Sequence, residues 1–290
     1  MLDLLQSLAD GLLFGAIYSL IGLGFTLVFG VMHKINMAYA AASLAGAYAG
    51  LTLIKLAGLP AWAVIPAACA AGALFGVIIY GVCFKLIPLS HPLATLMSTV
   101  GMLLLIDEIV VHATDGMPVN YPTFVHGMVG YGDFMLRGDL MFVFFVALVV
   151  MAGLIYLLFN TRLGLATRAV SQHPVAARLC GISLDHVNAV TFTLSGGLGG
   201  IAGALIGSAV GMLSPLLVAP LTVKGLIVTV IGGLGSIPGA IVAGLLVGAA
   251  ENLFQFFRGV TERDIYVMLL LFVFLVFRPG GMFGTDPARS

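Results

Sequence analysis

The 290-residue sequence predicts an all-α, polytopic integral membrane protein with eight or nine transmembrane helices. Three observations carry this. Hydrophobic residues make up 61% of the chain and charged residues 8%, against about 25% charged in soluble domains. Mean hydropathy is +1.16, so most of the surface must meet lipid rather than water. Apolar stretches recur at 8–31, 37–57, 61–84, 92–113, 139–160, 187–211, 223–236, 237–257 and 264–277. Most reach the roughly 20 residues needed to cross a bilayer core.

The stretches form one transmembrane domain, 1–290, and the first reads as a retained span. The acidic start (Asp3, Asp10) lacks the basic region of a cleaved signal peptide. The 38 glycines fit close helix packing, because small residues let backbones approach where lipid supplies no hydrophobic drive. Gly199, Gly203, Gly207 and Gly211 fall at i+4 on one helix face, and Gly72/Gly76 and Gly244/Gly248 repeat the spacing. The run Ile231 to Gly239 holds four glycines and Pro238. It cannot continue as a regular lipid-facing helix, so it is a tight turn between spans or a broken or re-entrant element near 223–239.

Lys and Arg set the orientation. Placing loop 161–186 inside puts Lys34, Lys85, Arg162, Arg168, Arg178, Arg278 and Arg289 inside. Lys55, Arg137, Arg258 and Arg263 fall outside, and Lys224, at a span start, is unassigned. The bias favours nine crossings with the N-terminus outside and the C-terminus inside. The outer loop, 114–138, carries Gly116, Pro118, Asn120, Pro122, Gly127, Gly130 and Gly132, and reads as a compact loop or small hairpin.

The inner loop holds two short helices. Amphipathic 163–171 contains Arg168. After His173, Pro174 suits a first helical turn and Gly181 a C-terminal cap, with Val175, Ala176, Ala177, Arg178 and Leu179 between them. Their apolar residues need cover from a partner groove, from the protein's own helices or from the membrane surface.

The spacing Ala176-Ala177 to Gly181 resembles the EAA coupling loop of ABC importer permeases. Val175 stands where that motif has its acidic residue, and the hydrophobic tail is unmatched. A wider resemblance is carried by Gly11 to Gly30 (with Tyr18 and Thr26), Ile35-Asn36-Met37-Ala38-Tyr39, Leu44-Ala45-Gly46-Ala47-Tyr48, Ile231 to Gly239, and Arg278-Pro279-Gly280-Gly281-Met282-Phe283-Gly284. In order and spacing these fragments resemble the LivH-type branched-chain amino acid permeases over nearly the whole chain.

That resemblance implies a permease in the bacterial inner membrane, with 114–138 periplasmic and 161–186 a cytoplasmic coupling loop. It implies a second LivH- or LivM-like permease, two cytoplasmic ABC ATPases and a periplasmic substrate-binding protein as partners. ATP and Mg would sit on the ATPases, with no cofactor in this chain. Arg168, His173, Pro174, Ala176, Ala177, Arg178 and Gly181 are then the coupling residues. Tyr18, Thr26, Asn36, Tyr39 and Ser43 are candidates for the pathway. Tyr39 stands where the family usually has histidine, and Ala40 where it has glycine; Tyr39 either lines the pathway or anchors at the membrane interface.

The chain lacks a Gly-Lys pair, so it has no P-loop, and energy must come from another polypeptide or an ion gradient. Ionisable residues within spans are few: Asp107, Glu108, Glu251 and, at a span start, Lys224. Asp107 and Glu108 lie near the outer end of their span, and Glu251 reads as a packed or hydrogen-bonded residue. Such a shortage of central charge argues against an ion-coupled pump. His33, His91, His112, His126, His173 and His186 are scattered, and Cys69, Cys83 and Cys180 show no metal spacing, so no metal site is expected. A net charge of zero removes the case for nucleic acid. The leading expectation is a non-catalytic importer permease for branched-chain or other apolar amino acids. Short amides, urea or aromatic acids are alternative cargoes, and an ion-coupled transporter or channel is the alternative class.

Overall fold

A computed structural model of the chain describes residues 2–87, 92–125, 127–131, 134–259, 262–278 and 280–284. His91, His126, Gly132, Pro279 and Arg289, singled out above, lie outside the described residues.

The helices are α1 (Leu2–Met32), α2 (Tyr39–Ala57), α3 (Val64–Ile79), α4 (Pro92–Thr114), α5 (Gly138–Asn160), α6 (Arg162–Gln172), α7 (Pro174–Leu179), α8 (Leu184–Val210), α9 (Val218–Gly232), α10 (Ile237–Arg258) and α11 (Arg263–Phe277). Strand β1 (Val119–Asn120) pairs antiparallel with β4 (Met212–Leu213), and β2 (Met128–Tyr131) with β3 (Phe134–Arg137). Of the compact loop or small hairpin expected for 114–138, the structure shows a hairpin, β2–β3. A one-turn 3-10 helix precedes α3 and a π-turn, Tyr80–Lys85, extends it.

Eight of the described helical stretches are long and apolar enough to cross a membrane. Helix α11 has 15 residues, about 22 Å at 1.5 Å per residue. It still runs between the two faces of the bundle. Its first residue, Arg263, meets Glu251 near the end of α10. Beyond its last turn, the Met282 and Phe283 amides donate to the Ile231 and Gly232 carbonyls at the end of α9. The first face therefore gathers the start of α1, loop 114–138 and residues 211–217. The second gathers the end of α1, loop 161–183, residues 233–236 and residues 280–284.

The glycine run resolves as a tight turn. Helix α9 ends at Gly232, Gly233 (φ +100°) and Gly235 (φ +86°) reverse the chain, and the Ser236 hydroxyl accepts the Gly239 amide at 3.2 Å to open α10. Helix ends leave four carbonyls without helical partners. Here the amides of Met282 and Phe283 satisfy two of them. The two fragments quoted separately from the sequence, 231–239 and 278–284, thus form one contact.

Close packing centres on glycine. Helix α1 runs along α10, where a Cβ at Gly248 would lie 2.3 Å from the Gly15 Cα. Helix α3 runs along α8, where a Cβ at Gly200 would lie 1.9 Å from the Ala68 carbonyl oxygen. Gly199 and Gly203 face α2 at Ser43, and Gly207 faces the ring of Tyr121. Gly211, at φ +80°, caps α8. Helices α1, α2 and α8 form the centre, with 78%, 67% and 72% of their spanning windows buried. Only 28% of α4 and of α5 is buried, which leaves their apolar sides for lipid or a neighbouring subunit.

Candidate functional site

Two features stand on opposite faces of the bundle. The first is a cavity of about 630 Å³ on the N-terminal face, bounded by α1, α5, α8, α9, α10 and α11. Its charged lining is Asp10, Arg137, Lys224, Glu251, Arg263 and Asp264, three cations against three anions. Lys224 is 7% exposed and Glu251 4%. The Lys224 ammonium donates to Glu251 Oε1 at 2.7 Å and to the Tyr18 hydroxyl at 3.3 Å. Asp264 Oδ1 lies 3.1 Å from the same ammonium but without hydrogen-bond alignment. Arg263 Nε approaches Glu251 Oε1 at 3.3 Å while its Nη1 donates to Gln255 Oε1 at 3.1 Å. Across the cavity Arg137 pairs with Asp139 and donates to the Ala209 carbonyl at 2.8 Å.

Sequence reasoning placed Glu251 as a packed or hydrogen-bonded residue and left Lys224 without a side of the membrane. The structure joins the two. Asp10, Arg137, Arg263 and Asp264 were not foreseen as members of a site, because each lies at or beside the end of an apolar stretch, where a charge ordinarily points to water. The available signal was the opposite charges of Lys224 and Glu251 on consecutive antiparallel spans, which a bilayer drives to pair.

The second feature is loop 161–183. Thr161 caps α6 by accepting the Gly164 amide, and Pro174 opens α7. Gly181, at φ +84°, closes α7: its amide donates to the Arg178 carbonyl and the Ile182 amide to the Ala177 carbonyl. These two bonds make a Schellman cap, which needs the left-handed conformation that glycine supplies. One side of the loop packs on the bundle, with Val170 and Ala177 against Val31 and Val187. The other side is open: Val175 is 75% exposed and Leu179 85%, and His173, Pro174, Ala176, Arg178 and Gly181 are exposed with them. The loop therefore both packs on its own helices and keeps an uncovered apolar ridge. Arg168 lies over the Phe159 ring at 5.1 Å.

The residues suggested for the pathway are buried between these faces. Tyr18 is on the cavity wall. Thr26 is buried in α1 with its hydroxyl unpartnered among the described residues. Asn36 Oδ1 accepts the Ala38 amide at the start of α2. Ser43 donates to the Tyr39 carbonyl and meets Gly199 and Gly203. Tyr39 is 1% exposed, and its ring stands edge-on to Phe25 with centroids 4.7 Å apart. It fills the space over Gly24 and Gly199, so it is not an interfacial anchor. Its hydroxyl has no hydrogen-bond partner among the described residues. Tyr39→Phe is therefore expected to leave thermal stability unchanged or raised, whereas Tyr39→Ala, which opens a cavity, is expected to cost about 3–5 kcal/mol in a detergent unfolding series. Within loop 114–138, Tyr121 donates to the Ala47 carbonyl at 3.3 Å, and burial pushes its phenol well above the usual range.

A bundle of membrane-crossing helices, with paired ionic groups round a cavity at one face and an exposed helix pair at the other, has the architecture of a multi-pass transport permease. Known proteins agree. The family model described as branched-chain amino acid transport system / permease component matches residues 7–277. The chain is 31% identical over 293 residues to the high-affinity branched-chain amino acid transport system permease protein BraD of Pseudomonas aeruginosa, covering 97% of this chain and 95% of the relative. It is 29% identical, with the same coverage, to the corresponding permease protein LivH of Escherichia coli. A chain of PsaBC from Streptococcus pneumoniae in complex with Fab shares the fold, with a TM-score of 0.51 and 12% identity over 96% of this chain and 92% of that one. The chain belongs to the branched-chain amino acid transport system permease component family.

Proposed function

We propose that the chain is the non-catalytic, membrane-spanning subunit of an ABC importer for branched-chain and other apolar amino acids. The observation that carries this reading is the family match across residues 7–277, which takes in both the cavity and the exposed loop. In this reading the N-terminal face is periplasmic and receives cargo from a binding protein. The loop face is cytoplasmic, where α7 docks in a groove of an ATPase. A second permease of the same type completes the membrane portion, and two ATPases hold ATP and Mg.

The geometry supports a mechanical role for the loop. Val170 and Ala177 fix it to α1 and α8, so a push on Val175 and Leu179 is transmitted to the ends of two central helices. Helix α1 carries Tyr18 on the cavity wall, and α8 carries the glycine face against α2. Closure of the ATPases would thus shift the helices that bound the cavity.

Gly181→Val tests the docking role. A Cβ there meets open space, so the harm comes from the backbone, because a β-branched residue resists φ +84°. Expected is at least tenfold loss of uptake and of substrate-stimulated ATP hydrolysis, with normal membrane insertion. Unchanged coupling would contradict the docking role.

A further inference from the structure

We propose that the cavity on the N-terminal face is a binding site for a zwitterionic α-amino acid with an apolar side chain. This rests on the reading of the chain as an amino acid permease. The ammonium is held by Glu251 Oε2 and Asp10 Oδ1, and the carboxylate by Lys224 and Arg263.

Glu251 and Asp10 supply the main observation. Glu251 is 4% exposed and spends Oε1 on Lys224 and Arg263, while Oε2 is buried without a hydrogen-bond partner among the described residues. Asp10 Oδ1, which lines the same cavity from α1, is also buried and unpartnered among the described residues. A carboxylate oxygen desolvated without a donor is costly, and an ammonium group relieves that cost. Two such oxygens in one cavity therefore mark a place for a cationic donor that no described residue fills.

Charge balance completes the pattern. Three cations and three anions line the cavity, so a ligand with net charge of either sign gains little overall. A zwitterion matches both halves. The volume of about 630 Å³ lies in the range of small-molecule sites. A smaller apolar recess of about 250 Å³ adjoins it, sharing Pro220, Lys224 and Asp264 and adding Val223, Ile227 and Val267. An aliphatic side chain fits that recess while its charged end stays at Lys224. The ligand has to compete with the Lys224–Glu251 pair, so the site is weak, as a pathway that must release its cargo requires.

The test uses the assembled complex of this chain with its partner subunits, without the binding protein, and reads equilibrium binding of L-leucine by saturation-transfer NMR. Two truncated probes are compared: 4-methyl-2-oxopentanoate, which lacks the ammonium, and 3-methylbutylamine, which lacks the carboxylate. L-leucine is expected to bind, and each truncated probe to bind at least tenfold more weakly. Asp10→Asn and Glu251→Gln are each expected to weaken L-leucine at least tenfold. Where Glu251→Gln fails to assemble, Asp10→Asn decides, since Asp10 takes no part in the Lys224 pairs. No L-leucine binding by the wild type, equal binding of the truncated probes, or wild-type affinity in an assembled variant would each overturn the site. ATP-driven L-leucine uptake by the wild type is measured in parallel with the binding protein present. Uptake without binding defeats this site alone, and absence of uptake defeats the permease reading alone.

Discussion

Gly200→Val is expected to prevent assembly of the bundle. Even the first added atom, a Cβ, would fall 1.9 Å from the Ala68 carbonyl oxygen, a backbone atom that no rotamer change can move. The same crossing has no slack nearby, because a Cβ at Gly72 would lie 2.3 Å from the Gly196 carbonyl oxygen and one at Gly76 2.2 Å from that of Phe192. Helices α3 and α8 would have to separate, exposing α8 from α2 as well. In lipid no hydrophobic effect restores such a contact, so the loss falls on van der Waals packing itself. We expect a cost above about 4 kcal/mol, seen as aggregation in gel filtration and loss of a cooperative unfolding transition. Gly101→Ala on α4 is the matched control: nothing lies within 4 Å of a Cβ there, and stability should hold.

Lys224→Met is the second large effect. It leaves Glu251 in the bundle with Arg263 as its remaining cationic neighbour, and Arg263 is bound to Gln255 as well. Removing one partner of a buried ion pair costs about 3–5 kcal/mol, because the charge left behind is desolvated without compensation. The double change Lys224→Met with Glu251→Leu replaces both by apolar groups and is expected to recover most of that loss. Detergent unfolding of the two single variants and the double variant measures the coupling. The stable double variant should still fail to transport, which separates the structural role of the pair from its role at the cavity.

The spans were legible because a bilayer imposes one solution, apolar helices of a fixed length. The stretch 187–211 appears as α8 and 139–160 as α5, nearly residue for residue. The caps at Pro174 and Gly181 were equally legible, since each depends on a local backbone requirement. The glycine run near 231–239 was ambiguous for a physical reason. Its carbonyls are satisfied by Met282 and Phe283, some 50 residues on, and local sequence does not carry that information. The cavity was less legible still. Its charges come from four helices and strand β3, and only Glu251 and Lys224 sit deep enough in apolar sequence to stand out. Tyr39 was open between two roles because its environment is set by Gly24 and Gly199 on other helices.

The central claim is that this chain conducts cargo that ATP hydrolysis on other subunits drives inward. The most direct measurement is uptake of labelled L-leucine into proteoliposomes holding the chain, its second permease and both ATPases, with binding protein outside and ATP inside. The account predicts accumulation that needs both ATP and binding protein, and that disappears when the ATPases are left out. Uptake that continues without the ATPases, or that follows an imposed ion gradient, would contradict it.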